Sequence, residues 1–338
     1  VEIVKYVKLP KENLDAFVEN LKIHGKVYAP IKIGKFCSFQ EIVKSKEMDL
    51  NYQRTMIPPK KFFLKLSERI LIFDEKKGNY EETLEEGKIV VFGMHPCDIY
   101  ALKLMDKIHI DEIPDKYYQV RRENATIIGH SCHPDEYCFC QSLGINYATD
   151  GFDLFLHELE DKFFVRIGSA KGNAIASENS GLIRDVEGSD IEEFREAEKK
   201  REGEFTLKLT IQGLTDMLAL AYQGEVWKEY ADKCFGCGSC NLVCPTCRCY
   251  DVVDTINLDL KSGERLRMLN SCMLKKHGLV AGGLNFRPTR TERLRNRFSC
   301  KGSLREDMLN CVGCGRCTVY CPSKIDYVEV LRKVRGEK

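Results

Sequence analysis

Two short runs of cysteine carry the chemistry of this 338-residue chain. Cys234, Cys237, Cys240 and Cys244 stand at intervals of three, three and four, with Pro245 behind the last. Cys311, Cys314, Cys317 and Cys321 repeat the intervals, with Pro322 in the same place. Three thiolates at i, i+3 and i+6 on a tight loop can reach three corners of one 4Fe–4S cube. Gly236 and Gly238, like Gly313 and Gly315, let such a loop wrap closely and turn backbone N–H groups toward sulfur. The fourth cysteine of each run begins a segment that leads away, so it belongs to the other cube. The expected ligand sets are therefore Cys234, Cys237, Cys240 and Cys321 for one cluster, and Cys311, Cys314, Cys317 and Cys244 for the second. Zinc has no need of three evenly stepped cysteines followed by Cys-Pro.

Other cysteines gather upstream. Cys97 in "GMHPCD" and Cys132 in "GHSC" each follow a short apolar run ending in glycine, and Cys138 and Cys140 form a nearby C-x-C. Ligands collect at the carboxyl ends of strands in an open α/β sheet. These four could enclose a third 4Fe–4S cluster, contribute to a zinc site with His95, His130 or His133, or be inert packed thiols. Asp98 and Asp135 read as caps of the following turns. Cys247, Cys249, Cys272 and Cys300 fit no defensible spacing; they form an additional cluster or shield the ferredoxin-like core. Cys37 reads as a packed thiol.

The elements that must position these groups follow from periodicity. "KENLDAFVENLKIHG" places Leu14, Phe17 and Leu21 on one helical face and stops at Gly25. "KVYAPIKI" reads as a strand. "KIVVFG" and "ATIIGHSC" read as buried strands flanking the helix "DIYALKLMDKI", a parallel βαβ element. "DLFLHELEDKFFVRIG" alternates like a hairpin. Residues 1–170 are thus expected to form an α/β domain, 171–205 a polar loop and exposed linking helix, and 206–338 a mainly helical dicluster ferredoxin-like domain. "RTMIPPKKFF" reads as structural packing, His277 as part of a helix end, and "RPTRTERLRNRF" as a solvated or partner-facing helix.

Composition bounds the partners. Hydrophobic residues make up 43% and charged residues 30% of the chain, enough apolar material for a sizeable core, and a net charge of +1 gives no footprint for nucleic acid. No run of 18 apolar residues predicts a membrane span, and the N-terminal residues lack the pattern of a signal peptide. A cytoplasmic chain is expected, in which 17 cysteines read as metal ligands or redox groups rather than disulfides. There is no Walker loop, no G-x-G-x-x-G after a strand and no nucleophile–base arrangement, so no catalytic residue is assigned.

The segments "FGMHPCDIYALKLMD", "DEIPDKYYQVRREN", "SCHPDEYCFC", "DGFDLFLHEL", "CNLVCPTCRCY" and "HGLVAGGLNFRPT" together resemble the beta subunit of archaeal sulfhydrogenases, and more distantly one of the subunits of anaerobic sulfite reductase. The resemblance spans nearly the whole chain. It implies an iron–sulfur subunit of a cytoplasmic heterotetrameric nickel–iron hydrogenase that couples hydrogen to NAD(P)+ and reduces sulfur or polysulfide. The implied partners are a gamma flavoprotein that binds NAD(P)H and the delta and alpha hydrogenase subunits. The alternative is a terminal reductase acting on polysulfide or sulfite at the N-terminal cysteines, with Arg121, Arg122 and His133 as anion contacts.

Overall fold

A computed structural model describes residues 5–305 and 307–337. The chain opens with β1 (Lys5–Pro10), α1 (Leu14–Leu21), β2 (Lys26–Ile33), β3 (Phe36–Glu41), β4 (Ser67–Asp74), β5 (Asn79–Glu82) and β6 (Ile89–Met94). It continues through α2 (Pro96–Asp106), α3 (Lys116–Glu123), β7 (Ala125–His130), β8 (Leu154–Glu158) and β9 (Lys162–Ile167). Then come α4 (Ala170–Glu178), β10 (Arg184–Asp185), α5 (Gly188–Gly203), α6 (Leu214–Leu220), α7 (Val226–Lys233) and α8 (Ser239–Leu242). The hairpin β11 (Tyr250–Ile256) and β12 (Ser262–Leu269) precedes α9 (Arg290–Gly302), α10 (Arg316–Val319) and α11 (Tyr327–Arg335).

The main sheet has the order β10-β1-β9-β8-β7-β6-β2-β3. Its centre is parallel: β2 beside β6, β6 beside β7, β7 beside β8. Alternation along the central strands sends Val90, Phe92 and Ile128 to one core and Val91, Ile127 and Phe155 to the other. Burial on both faces is why these runs read as continuously apolar. The expected βαβ element and the hairpin β8–β9 are present. Gly25 ends the first helical segment with φ 139°, where a Cβ would lie 2.3 Å from the Lys88 carbonyl oxygen.

Two expectations change. The polar stretch after residue 170 is not a loop. Ser169 caps α4 by accepting from Gly172 N at 2.9 Å, Ile175 and Ala176 enter the core, and β10 extends the sheet beside β1. Small residues permit this: a Cβ on Gly172 would lie 1.9 Å from the Asp153 carbonyl oxygen, so the helix rests directly on backbone. The charged stretch that follows does form a helix, α5.

The C-terminal part is also not only helical. The hairpin β11–β12 joins a second sheet, β11-β12-β4-β5, in which β12 pairs with β4 from the N-terminal half. A linker near residue 205 therefore does not divide the chain into two separate sheets and cores. The exposed burial pattern of β11 explains why no apolar alternation announced it.

Candidate iron–sulfur centres

Both cysteine loops have the same backbone device. Gly236 and Gly238 take φ of 67° and 81°, and Gly313 and Gly315 take 63° and 71°. Gly238 and Gly315 then cap the short helices α8 and α10, which carry Cys240 and Cys317. The loops direct N–H groups at sulfur, as expected. Gly236 N donates to Cys234 Sγ at 3.3 Å, and Ile325 N donates to Cys321 Sγ at 3.3 Å.

The two runs meet. Ser239 Oγ donates to the Tyr320 carbonyl at 3.2 Å, which brings α8 against the end of α10. One cavity is lined by Cys234, Cys237 and Cys240 together with Cys317 and Cys321 from the other run. On the opposite side, Thr246 Oγ1 lies 3.3 Å from Cys244 Sγ and donates to the carbonyl of Asn310 at 2.7 Å. That contact sets Cys244 beside Cys311. Burial pushes the Cys311 thiol up to about 11, with Cys244 adding to the rise, and burial pushes Cys240 up to about 11. Among the described residues no three His, Cys, Asp or Glu side chains crowd to the spacing of a single-ion site. A cubane asks for four thiolates spread around its corners instead.

Buried cations test whether these thiols fit an anionic cluster. On α9, Arg293, Arg297 and Lys301 recur every fourth position and all are buried. Arg297 Nη2 donates to the Cys240 carbonyl at 3.1 Å. Lys301 Nζ donates to Thr246 Oγ1 at 2.8 Å, and Lys60 Nζ to the Cys247 carbonyl at 2.6 Å. Burial opposes the charge of all three. Against it, Cys247 and Cys244 hold Arg297 well above its usual value, and Cys244 and Cys247 raise Lys301; at Lys60 burial outweighs the same sulfurs and the amine is lowered. A buried charge requires a counter-charge, and here it comes from sulfur. The residues present fit a negatively charged cluster, which would supply one-electron redox chemistry at a potential raised by these cations.

The reading of "RPTRTERLRNRF" as a solvated or partner-facing helix changes, because one face of it is buried within this chain. Thr289 and Glu292 close a capping box at its start, Leu294 and Phe298 join the helical core, and the basic stripe turns toward the cysteines. Sequence reasoning missed Arg297, Lys301 and Lys60. The four-residue spacing of the basic residues was the available signal.

The upstream cysteines lie against the second loop. Cys97 opens α2 behind β6, and Cys132 follows β7. Cys97, Cys140 and Val312 share one buried cluster, with Cys138 and Cys314 at its edge. Phe139 N donates to the Gly313 carbonyl at 2.9 Å, and a Cβ on Gly313 would lie 2.6 Å from Cys140 N. Burial pushes Cys132 up to about 12, Arg201 opposes this, and Cys138 adds to it. Arg54 Nη2 donates to Cys138 Sγ at 3.2 Å and pairs with Asp135.

Several assignments need correction or refinement. Asp98 does not cap a turn: it lies inside α2 and binds Arg316 through both oxygens at 2.8 Å. Asp135 does accept from Tyr137 N, at 3.0 Å, as a turn cap does. Arg121 is buried against Glu68 and the Phe63 carbonyl, and Arg122 pairs with Asp106. Neither is free to hold an anion. His133 is exposed beside Glu204 at 2.7 Å. "RTMIPPKKFF" does pack, and it also delivers Arg54 and Lys60. Cys272 Sγ accepts from Asn241 Nδ2 at 3.1 Å, and a hydrogen bond with Cys249 brings its thiol down to about 5. Cys247 is buried near Cys244, Cys300 is exposed, and Cys37 lies 3.8 Å from Asp49.

A family model described as a 4Fe-4S dicluster domain matches residues 233–325, the span of both cysteine runs. Over 335 residues the chain is 48% identical to sulfhydrogenase 2 subunit beta of Pyrococcus furiosus, covering 98% of this chain and 99% of that protein. The chain belongs to the sulfhydrogenase beta-subunit family. Members are iron–sulfur subunits of an oxidoreductase complex, and the dicluster match covers two clusters in this chain. Among the described residues no helix is long and apolar enough to cross a membrane.

Proposed function

We propose that the chain relays electrons through three 4Fe–4S clusters in series. Cys234, Cys237, Cys240 and Cys321 hold the first. Cys311, Cys314, Cys317 and Cys244 hold the second. Cys97, Cys132, Cys138 and Cys140 hold the third. Its entry and exit points lie on other polypeptides of a cytoplasmic complex: the NAD(P)H-binding gamma flavoprotein and the delta and alpha hydrogenase subunits. Residues 1–170 supply the ligands of the third cluster, 171–205 link, and 206–338 supply the ligands of the first two.

The observation that supports this most is the contact of the C-x-C loop with the second cysteine loop, through Phe139 N and the Gly313 carbonyl at 2.9 Å. It leaves no intervening layer between the upstream thiols and Cys314. The terminal-reductase alternative is not favoured, since two of its three anion contacts are spent in ion pairs. The test is an iron and acid-labile sulfide count on the purified chain. About twelve irons are expected for three clusters. About eight would remove the third, and zinc without iron would end the reading.

A further inference from the structure

A cleft of about 600 Å³ opens between the π-helical turn Lys107–Glu112 that follows α2 and the base of the hairpin β11–β12. Its wall combines cations, aromatic rings and aliphatic groups. Arg248 stands half-buried on it, with no hydrogen-bond or ion-pair partner among the described residues. Arg267 lies between the rings of Tyr117 and Tyr250, 5.6 Å from each centroid, and its Nε donates to Glu68 at 2.7 Å. Lys116 pairs with Glu82 at the rim. His109 is 7% exposed, and its Nε2 has no partner. The one carboxylate on the wall, Asp115, is already engaged by Arg267 and lies 3.8 Å from His109 Nδ1. The cleft thus carries one uncommitted guanidinium, Arg248, and one uncommitted buried imidazole nitrogen on its lining.

We propose that this cleft binds an organic phosphate of up to nucleotide size. Guanidinium groups match phosphate oxygens in bidentate geometry, and Arg248 has its whole fork available. The volume falls within the range of about 300–1,000 Å³ typical of small-molecule sites, and it exceeds what a bare inorganic anion fills. Ile108, Ile113 and Pro114 add apolar wall, and the half-exposed ring of Tyr250 offers a flat face to a planar body. Neither dicluster loop lines the cleft, so occupancy does not require a cluster ligand to move. Single-turn π segments are frequent at functional sites, and here one places His109 on the cleft wall.

Isothermal titration of the full chain, with its clusters in place, tests this with ADP, inorganic phosphate and adenosine. ADP should bind more tightly than phosphate, and adenosine should not bind measurably. Arg248→Gln should weaken ADP about tenfold, the loss of one charge-assisted contact, while the visible absorbance of the clusters stays unchanged. Tyr250→Ala should weaken ADP but leave phosphate untouched. The proposal is overturned if ADP does not bind at millimolar concentration, if phosphate binds and ADP does not, or if adenosine binds as well as ADP. Should Arg248→Gln disturb the clusters, Tyr250→Ala decides: an unchanged ADP affinity excludes the site. An unchanged affinity in an intact Arg248→Gln variant excludes it equally.

Discussion

Arg316, between Cys314 and Cys317, donates through Nη1 and Nη2 to the two oxygens of Asp98, each at 2.8 Å, in a site with essentially no solvent exposure. The neighbour of Asp98 in sequence is Cys97. One ion pair thus ties the second dicluster loop to the mouth of the upstream cysteine group across 218 residues of sequence. Arg316 Nε also donates to the Thr55 carbonyl at 2.8 Å, which adds the "RTMIPPKKFF" segment to the junction.

Breaking that pair on one side leaves a charge buried alone. Asp98→Ala should cost about 3–5 kcal/mol of stability, and a double variant with apolar groups at both positions should cost less. Thermal melts of the single and double variants check this. Equal losses in the two would remove the pair's claimed role.

Removing a buried cation beside sulfur should lower the potential of the cluster it faces. Arg297→Met is expected to shift a reduction potential downward by on the order of 50–100 mV, from the Coulomb interaction of one charge at close range. A redox titration followed by electron paramagnetic resonance reads the shift directly. An unchanged potential would show that Arg297 serves packing alone.

The proposed crossed ligation would make an asymmetric demand on the two runs. Cys321→Ser should impair the cluster of the first loop and spare that of the second, and Cys244→Ser should do the reverse, with about four irons at stake in each case. Iron counts paired with the spectrum of each reduced cluster distinguish these outcomes. Loss of the cluster belonging to the substituted run would contradict the assignment.

Gly313 combines φ of 63° with a neighbour that cannot yield, since its Cβ would meet Cys140 N at 2.6 Å. Gly313→Ala should destabilise the chain by about 2 kcal/mol or more, combining backbone strain with the displaced contact. Denaturant unfolding measures this. Gly181, where a Cβ meets nothing within 4 Å, is the control, and Gly181→Ala should be close to neutral.

Acid should destabilise the fold before its carboxylates titrate. Burial brings His130 and His157 down to about 4. Arg166 Nε donates to His157 Nε2 at 3.1 Å, which requires a neutral ring with its proton on Nδ1 facing Glu198. The unfolded chain takes up these protons near pH 6.5, whereas the folded chain resists until about pH 4. Below pH 6.5 the unfolded state therefore binds more protons, and stability falls as pH falls. The contribution is full above pH 6.5 and fades toward pH 4, with a change on the order of 1–3 kcal/mol per histidine. Melting temperatures at about pH 7.5, 6.5 and 5.5 should decline over the lower interval. His157→Gln should flatten that decline, and a pH-independent melt would refute the assignment.

Much of the site was legible because its determinants are local. Cys-x2-Cys-x2-Cys with glycine between confines three sulfurs to one loop, whatever surrounds it. The same holds for Val90–Phe92 and Ile127–Ile128, whose apolar runs mark central strands buried on both faces. Less legible were elements whose identity depends on a distant partner. The mostly exposed β11 carries no alternation and is a strand because β12 pairs with it, while β12 in turn lies on β4. Segment 170–178 looked like a loop because its small polar residues suit one, and it is a helix because Gly172 lets it settle on Asp153.

The sequence alone determined the dicluster spacing, the parallel βαβ element and the family, since each is written in neighbouring residues. Tertiary structure alone decided that Arg297 and Lys301 point inward, that Arg316 meets Asp98, and that the C-x-C loop lies on Gly313. These contacts join residues tens to hundreds of positions apart. Periodicity does not encode which buried charge will find which counter-charge; packing of the two halves does.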